Sequence, residues 1–368
     1  MRPEVPIESV RAQAFTVPTD RPEADGTIAW DSTTLVVVEI AGGGKNGVGY
    51  TYSGASIVDL IRGKLAEKIR GMDAMAPQAA FASMRRAVRN LGREGLAATA
   101  LSAIDTALYD LKARLLDVPL FSLLGAYRTA VPIYGSGGFT TYSDSELEQQ
   151  LGGWVAAQGC AFVKMKIGSD PARDPHRVAV AKRAIGDATL FVDANGAYGP
   201  KQAIALAQRF AQQGVGWFEE PVSSDDLLGL AMVRQHAPEG MDVAAGEYAY
   251  TTDYVRNMLQ HGAVDVQQAD ATRCGGYTGF LQIAAVCDAF HVDLSGHCAP
   301  ALHLHVACAA PRLRHLEWFH DHVRIEHMLF DGAPHPKNGQ IAPDPTHAGN
   351  GLTFKRADAA DYAVSGAA

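Results

Sequence analysis

The chain has 368 residues, 47% of them apolar and 20% charged, with a formal net charge of −8. That length exceeds one typical compact core and calls for two domains or one large barrel with additions. The acidic balance excludes the basic face of a nucleic-acid binder, and no run approaches a membrane span, so neither nucleic acid nor membrane is an expected partner.

The opening MRPEVPIESVRAQAF has no apolar core of signal-peptide length. Five cysteines, Cys160, Cys274, Cys287, Cys298 and Cys308, form no CxxC pair and are odd in number. Reduced thiols fit that pattern better than disulfides or a zinc site, and a soluble cytoplasmic protein is expected.

The first 125 or so residues read as α+β. TTLVVVEI (33–40) is β-branched and strand-like, and NGVGYTY after a Gly-rich turn completes a hairpin. Helical patterns follow in SIVDLIRGKLAEKI, PQAAFASMRRAVRN and AATALSAIDTALYDLKARLL, with apolar residues at three- and four-residue steps. GAYRTAVP has the look of a boundary.

From about residue 131, short apolar runs alternate with amphipathic stretches. The runs are VPIYGS (131–136), AFVKMKIG (161–168), TLFVDANG (189–196), VGWFEEP (215–221), MDVAAGE (241–247), VDVQQAD (264–270), HVDLSGH (291–297) and RHLEWF (314–319). Repeated β-then-α units imply parallel strands, and eight of them close a barrel. After residue 325 the chain becomes Pro/Gly-rich where an eighth helix would fall, and a return to the N-terminal domain is expected.

The unusual polar residues fall at the carboxyl ends of these runs. Lys164 and Lys166 end the second, Asp193 and Asn195 the third, Glu219 and Glu220 the fourth. Glu247, Asp270, His297 and Glu317 end or nearly end the next four. That end of a parallel barrel carries the chemistry. Strand parity puts Phe162, Lys164 and Lys166 on one face and Val163, Met165 and Ile167 on the other, so the polar face looks inward. Any one of these carboxylates alone reads as a loop cap. Asp193, Glu219 and Glu247 at matched positions on adjacent strands repel unless a cation joins them, and an all-oxygen set suits magnesium.

Asp270 beside His297 would fix the imidazole tautomer and raise the basicity of the other nitrogen. His303 and His305, two apart in a predicted helix, do not share a face and read as structural. Cys298 beside His297 suggests a Cys/His nucleophile, but adjacent strand residues point opposite ways, so it is set aside. Lys164 and Lys166 on one buried face lower each other's pKa. A lysine brought down from about 10.4 toward about 7–8 becomes a usable base.

The ordered set KMK (164–166), VDANG (192–196), WFEEP (217–221), AGE (245–247), QAD followed by CGGYTG (268–279), SGH (295–297) and LEW (316–318) resembles the mandelate racemase subgroup of the enolase superfamily. Order and spacing match over the whole barrel. The resemblance implies a modified TIM barrel (β/α)7β with an α+β capping domain, here a cap over 1–127, a barrel over 128–325 and a C-terminal segment over 326–368 that returns to the cap. It implies Asp193, Glu219 and Glu247 as magnesium ligands, Lys166 as one base with Lys164 as its modulator, the Asp270–His297 pair as the other base, and Glu317 as the acid facing the enolate oxygen. Asn195 and Ser136 match positions that touch bound substrate. The sister muconate-lactonising subgroup carries a lysine on strand six and an Asp in place of Glu247. Here Arg273 follows strand six and Glu247 is Glu, which assigns the mandelate racemase type.

The implied reaction is removal of the α-proton of a small carboxylate. In the polar stretch TDRPEADGTIAWDS (19–32), Arg21 is placed to pair with a distal carboxylate. That favours dehydration of an aldonic or aldaric acid over racemisation, epimerisation or cycloisomerisation. A non-catalytic ligand sensor would need none of Lys166, Asp270, His297 and Glu317. A homo-oligomer is expected.

Overall fold

The computed structural model describes residues 4–364; residues 1–3 and 365–368, which the expected first and last segments include, lie outside the described residues. An antiparallel sheet opens the chain: β1 (Ser9–Ala24), β2 (Ala29–Gly42) and β3 (Lys45–Tyr52), in that spatial order. The β2–β3 pair is the hairpin read from the sequence. β1 carries no clean alternation and two prolines, and sequence periodicity did not reveal it.

The helix Leu96–Leu116 lies across β3. Its close approach explains two glycines in NGVGY. A Cβ at Gly47 would stand 2.2 Å from the Ala107 carbonyl oxygen, and one at Gly49 would stand 2.3 Å from Thr106 Oγ1. Any larger residue would force the helix off the sheet.

Each of the eight runs forms a parallel strand: β4 (Val131–Gly137), β5 (Phe162–Lys166), β6 (Thr189–Asp193), β7 (Val215–Glu219), β8 (Asp242–Ala245), β9 (Val266–Ala269), β10 (Asp293–Gly296) and β11 (Leu313–Phe319). Neighbours pair in sequence order, and β11 pairs with β4 to close the barrel. Inside, Tyr134, Phe162, Phe191 and Trp217 pack with Val266 and Ala244 as an apolar floor. Phe191 stacks on Trp217 with centroids 4.9 Å apart.

One detail differs from the sequence reading. The eighth strand is followed by a helix, His320–Leu329, before the Pro/Gly-rich segment begins. Asp321, His322, Ile325, Glu326 and Leu329 form its buried stripe. That stripe includes polar residues, which hid it from an apolar count. The remaining chain runs back to the cap: Asn350 N–H donates to Asp110 of the long helix at 2.7 Å, and Val364 N–H donates to Ala14 O at 3.0 Å.

The β1–β2 turn reaches the open end of the barrel. A Cβ at Gly26 would lie 2.5 Å from Ala194 O and 2.6 Å from Ile167 O, so only glycine lets the turn sit on the ends of β5 and β6.

Candidate active site

The aromatic floor ends where the charged layer begins. Phe162, Lys164 and Lys166 follow one another on the inward face of β5, while Val163 and Met165 join the core under the helices. Register places Lys166 beside Asp193 and Asp193 beside Glu219. Lys164 Nζ is hydrogen-bonded to Glu219, 2.8 Å from Glu317 Oε1 and 3.3 Å from Asp193 Oδ2. Lys166 Nζ donates to Asp193 Oδ2 at 2.6 Å and to Asn195 Oδ1 at 3.1 Å.

The two lysines are accommodated by charge pairing, and their pKa moves opposite to the sequence expectation. Burial disfavours both ammoniums, but the surrounding carboxylates outweigh it: Lys164 is raised by Glu219 and Glu317, and Lys166 by Asp193. Lys164 still acts on Lys166 in the expected direction, lowering it. The anions facing both lysines outweigh the repulsion of one lysine by the other.

Asp193, Glu219 and Glu247 are all buried and each offers an oxygen within 4.8 Å of the others. Glu247 stands two residues beyond β8, after Gly246 at φ 137°, where a Cβ would meet Gln267 Nε2 at 2.2 Å. Glycine there lets the chain turn the carboxylate inward. Glu247 Oε2 is buried without a hydrogen-bond partner. A buried orphan oxygen in an all-carboxylate set fits a hard divalent cation, and these three residues would hold it. Glu220, at φ 37°, is buried next to the set without belonging to it.

Across the cavity His297 Nδ1 lies 2.8 Å from Asp270 Oδ2, and Thr272 N–H donates to Asp270 Oδ1 at 2.7 Å. With Asp270 anionic, Nδ1 carries the proton and Nε2 is left for the cavity. Burial opposes ionisation of Asp270, but the His297 hydrogen bond and charge hold it well below the usual carboxylate range. Burial likewise opposes the imidazolium, yet Glu247 and Glu317 raise His297 above its ordinary value. Glu317, despite burial, is held low as an anion by Lys164.

A cavity of about 390 Å³ is lined by Lys166, Asn195, Glu247, His297 and Glu317 on the barrel side. Ser32, Thr33, Thr34 and Ser53 of the cap face it with Trp30 and Tyr52. Ser136 does not line this cavity; its hydroxyl donates to Glu317 Oε1 at 2.6 Å. Arg21 does not line it either. Its guanidinium is half exposed and paired with Glu146 of the helix Asp144–Gln158. The structure therefore corrects the placement of Arg21 over the substrate: a closer carboxylate on the outer rim takes its charge.

Sequence parity also failed at Cys298. The strand ends at Gly296, and Cys298 and Ala299 adopt left-handed φ of 52° and 40°. The thiol turns inward to 3.3 Å from both His297 Nε2 and Glu317 Oε2. Burial and Glu317 push it far above an ordinary thiol, so it is no thiolate nucleophile. His303 and His305 are structural as read: His303 Nε2 accepts from Ala271 N–H at 2.6 Å, and His305 Nε2 meets Asn350 O at 3.0 Å.

Arg273, which the sequence placed after strand six without a role in the site, donates from Nη1 to Glu247 O at 3.1 Å while its guanidinium sits 5.4 Å from the Tyr248 ring. His322 stacks on Tyr52 with centroids 3.4 Å apart. Both lie beyond strand ends, where strand parity does not say which way a side chain points.

Residues 10–125 match the N-terminal domain of the mandelate racemase / muconate lactonizing enzyme family, and residues 146–359 match the enolase C-terminal domain-like family. A mandelate racemase/muconate lactonizing enzyme-like protein from Rubrobacter xylanophilus superposes with a TM-score of 0.95 at 49% identity, over 97% of this chain and 99% of that one. A 3,6-anhydro-alpha-L-galactonate cycloisomerase from Streptomyces coelicolor is 32% identical over 84% of this chain and 88% of its own. An L-talarate/galactarate dehydratase from Salmonella typhimurium is 30% identical over 89% and 85%. Other similar structures hold magnesium, one with mandelic acid and others with L-glucarate. The chain thus belongs to the mandelate racemase/muconate lactonizing enzyme family of the enolase superfamily.

Proposed function

We propose that this protein is a magnesium-dependent enzyme that removes the α-proton of a small carboxylate, and that its net reaction is dehydration of an aldonic or aldaric acid to a 2-keto-3-deoxy acid. The observation that carries the reading is that Lys166 and the Asp270–His297 pair open on one cavity with Asp193, Glu219 and Glu247 beside them. Magnesium bound by those carboxylates would supply Lewis-acid stabilisation of the substrate carboxylate. Glu247 Oε2, buried without a hydrogen-bond partner and with only His297 Nε2 at 3.4 Å, supports its fit.

In this reading Lys166 Nζ takes the α-proton: Asp193, whose charge holds the ammonium high, is one of the carboxylates that would bind the cation instead, and the Lys164 charge already acts to lower Lys166. Lys164 also faces the charge that develops on the substrate carboxylate, held there by Glu317 and Glu219. His297 Nε2 gives its proton to the departing β-hydroxyl, which leaves as water. The enol that remains takes a proton at C3 to become the keto acid. Asp270 keeps Nδ1 protonated and stabilises the imidazolium before transfer. Ser32, Thr33, Thr34 and Ser53 supply hydroxyls suited to a polyol chain.

Relatives of about 30% identity include both dehydratases and cycloisomerases, so the family likeness alone does not choose between the two outcomes. The purified protein with magnesium, screened against acid sugars and their lactones, separates them. Release of 2-keto acid supports dehydration. Conversion of a lactone or an epimer without keto acid replaces it with isomerisation.

A further inference from the structure

A second group of ligating side chains stands at the rim of the cavity, outside the carboxylate centre. It joins Asp20 and Glu23 of β1 to His320, the first residue of the helix after β11. In an unbroken strand, residues three apart point to opposite faces. Here Pro18 pairs with Ser32 and the next pair is Glu23 with Trp30, so residues 19–22 stand opposite Asp31 alone. That bulge turns both carboxylates toward the barrel. One donor atom from each of the three residues lies within 4.8 Å of the other two.

Glu23 is fully buried. Its Oε2 accepts from Trp30 Nε1 at 2.8 Å, whereas Oε1 is buried with no hydrogen-bond partner. His320 Nε2 lies 3.2 and 3.1 Å from the two Asp20 oxygens. Arg324 acts on Glu23 through its charge, and Asp321 acts on it in the opposite sense, but no cation among the described residues donates a hydrogen bond to Glu23 Oε1. Arg324 pairs with Asp321 Oδ1 at 2.5 Å and donates to Pro18 O at 2.6 Å, and Arg21 is turned to Glu146. Two carboxylates are left facing one imidazole, and an unsatisfied buried oxygen carries a desolvation penalty that a bound ion removes.

We propose that Asp20, Glu23 and His320 form a divalent transition-metal site that clasps the β1–β2 segment to the barrel rim. A set of two carboxylate oxygens and one imidazole nitrogen suits zinc or manganese better than magnesium, which takes oxygen ligands. Donors about 2.0–2.2 Å from zinc sit roughly 3.5 Å apart, so closure asks for a shift of about an ångström. Asp20, with a side chain 43% exposed, is free to make it. Glu23 ties the ion to Trp30, which lines the cavity and meets Phe139 edge-on at 5.7 Å. The clasp therefore steadies one wall of the site, whatever reaction the site performs.

Zinc is titrated into the metal-stripped protein with magnesium kept in large excess, read by competition with a chromogenic chelator and by amide exchange over residues 19–24. The expected result is one zinc per chain, with affinity at least about tenfold weaker in His320→Ala and Asp20→Asn but kept in Glu219→Gln. Zinc should slow exchange at 19–24 in the wild type and not in His320→Ala. Asp20 is half exposed, so Asp20→Asn keeps the test valid if His320→Ala misfolds. Zinc binding unchanged in the rim variants, lost only in Glu219→Gln, or absent at about 100 µM zinc overturns the site.

Discussion

Ser136 Oγ donates to Glu317 Oε1 at 2.6 Å across the seam where β4 and β11 close the barrel. Cys298 N–H donates to Glu317 Oε2 at 3.0 Å, and Lys164 Nζ lies 2.8 Å from Oε1. Three elements thus aim one carboxylate, and Ser136 acts through it. Ser136→Ala should lower kcat by about tenfold or less with KM nearly unchanged, since Lys164 and Cys298 still hold Glu317. A KM that rises with kcat intact would make Ser136 a substrate contact instead.

The two bases should separate in isotope experiments. His297→Asn should cut keto-acid formation by about a hundredfold or more while Lys166 still exchanges the α-proton with deuterated solvent. Lys166→Ala should suppress that exchange. Neither variant losing even tenfold would show that the bases lie elsewhere.

Metal dependence should single out one of two adjacent glutamates. Chelation should abolish activity and magnesium should restore it. Glu219→Gln removes a charged ligand of the buried trio and should raise the magnesium requirement about a hundredfold, whereas Glu220→Gln, outside it, should change it less than tenfold. Equal effects would dissolve the distinction.

The barrel and its charged layer were legible because strand parity is rigid: Phe162, Lys164 and Lys166 had to share a face, and so did Phe191 and Asp193. Register then brought Lys166, Asp193 and Glu219 side by side. Where the chain leaves regular structure, parity stops. Cys298 at φ 52° turned toward His297 against the strand rule, and the bulge at 19–22 carried Arg21 outward. The lysine pKa failed for a different reason: it depends on Asp193 and Glu219, whose distances no sequence spacing supplies.

Arg21 offers a direct check on that outward placement. It is exposed and paired with Glu146, itself locked in a capping box with Ser143. An exposed pair of this kind contributes little, so Arg21→Met should leave kcat/KM within about threefold for monoacid and diacid substrates alike. A selective loss on diacids would mean that the loop swings inward on binding.

The last prediction concerns stability and pH. Glu326, on the helix after β11, is buried, accepting from Tyr50 OH at 2.5 Å and from Ala301 N–H at 3.1 Å. Burial pushes its carboxyl up to about 8, against those two hydrogen bonds. The unfolded chain holds an ordinary Glu near about 4.3. Between these values the folded state binds a proton that the unfolded state has lost, so this group's contribution is full below the lower value and disappears as pH rises through the upper one. Glu326→Gln keeps the shape and has no proton to lose. Asp105 and Glu23, raised to about 7 and about 8, titrate in both proteins, so only the difference between the two is informative. Thermal melting at pH 6 and pH 8.5 should show a drop in wild-type Tm that exceeds the variant's by about 2 °C or more. Parallel curves would show that Glu326 is already ionised in the folded protein at pH 6.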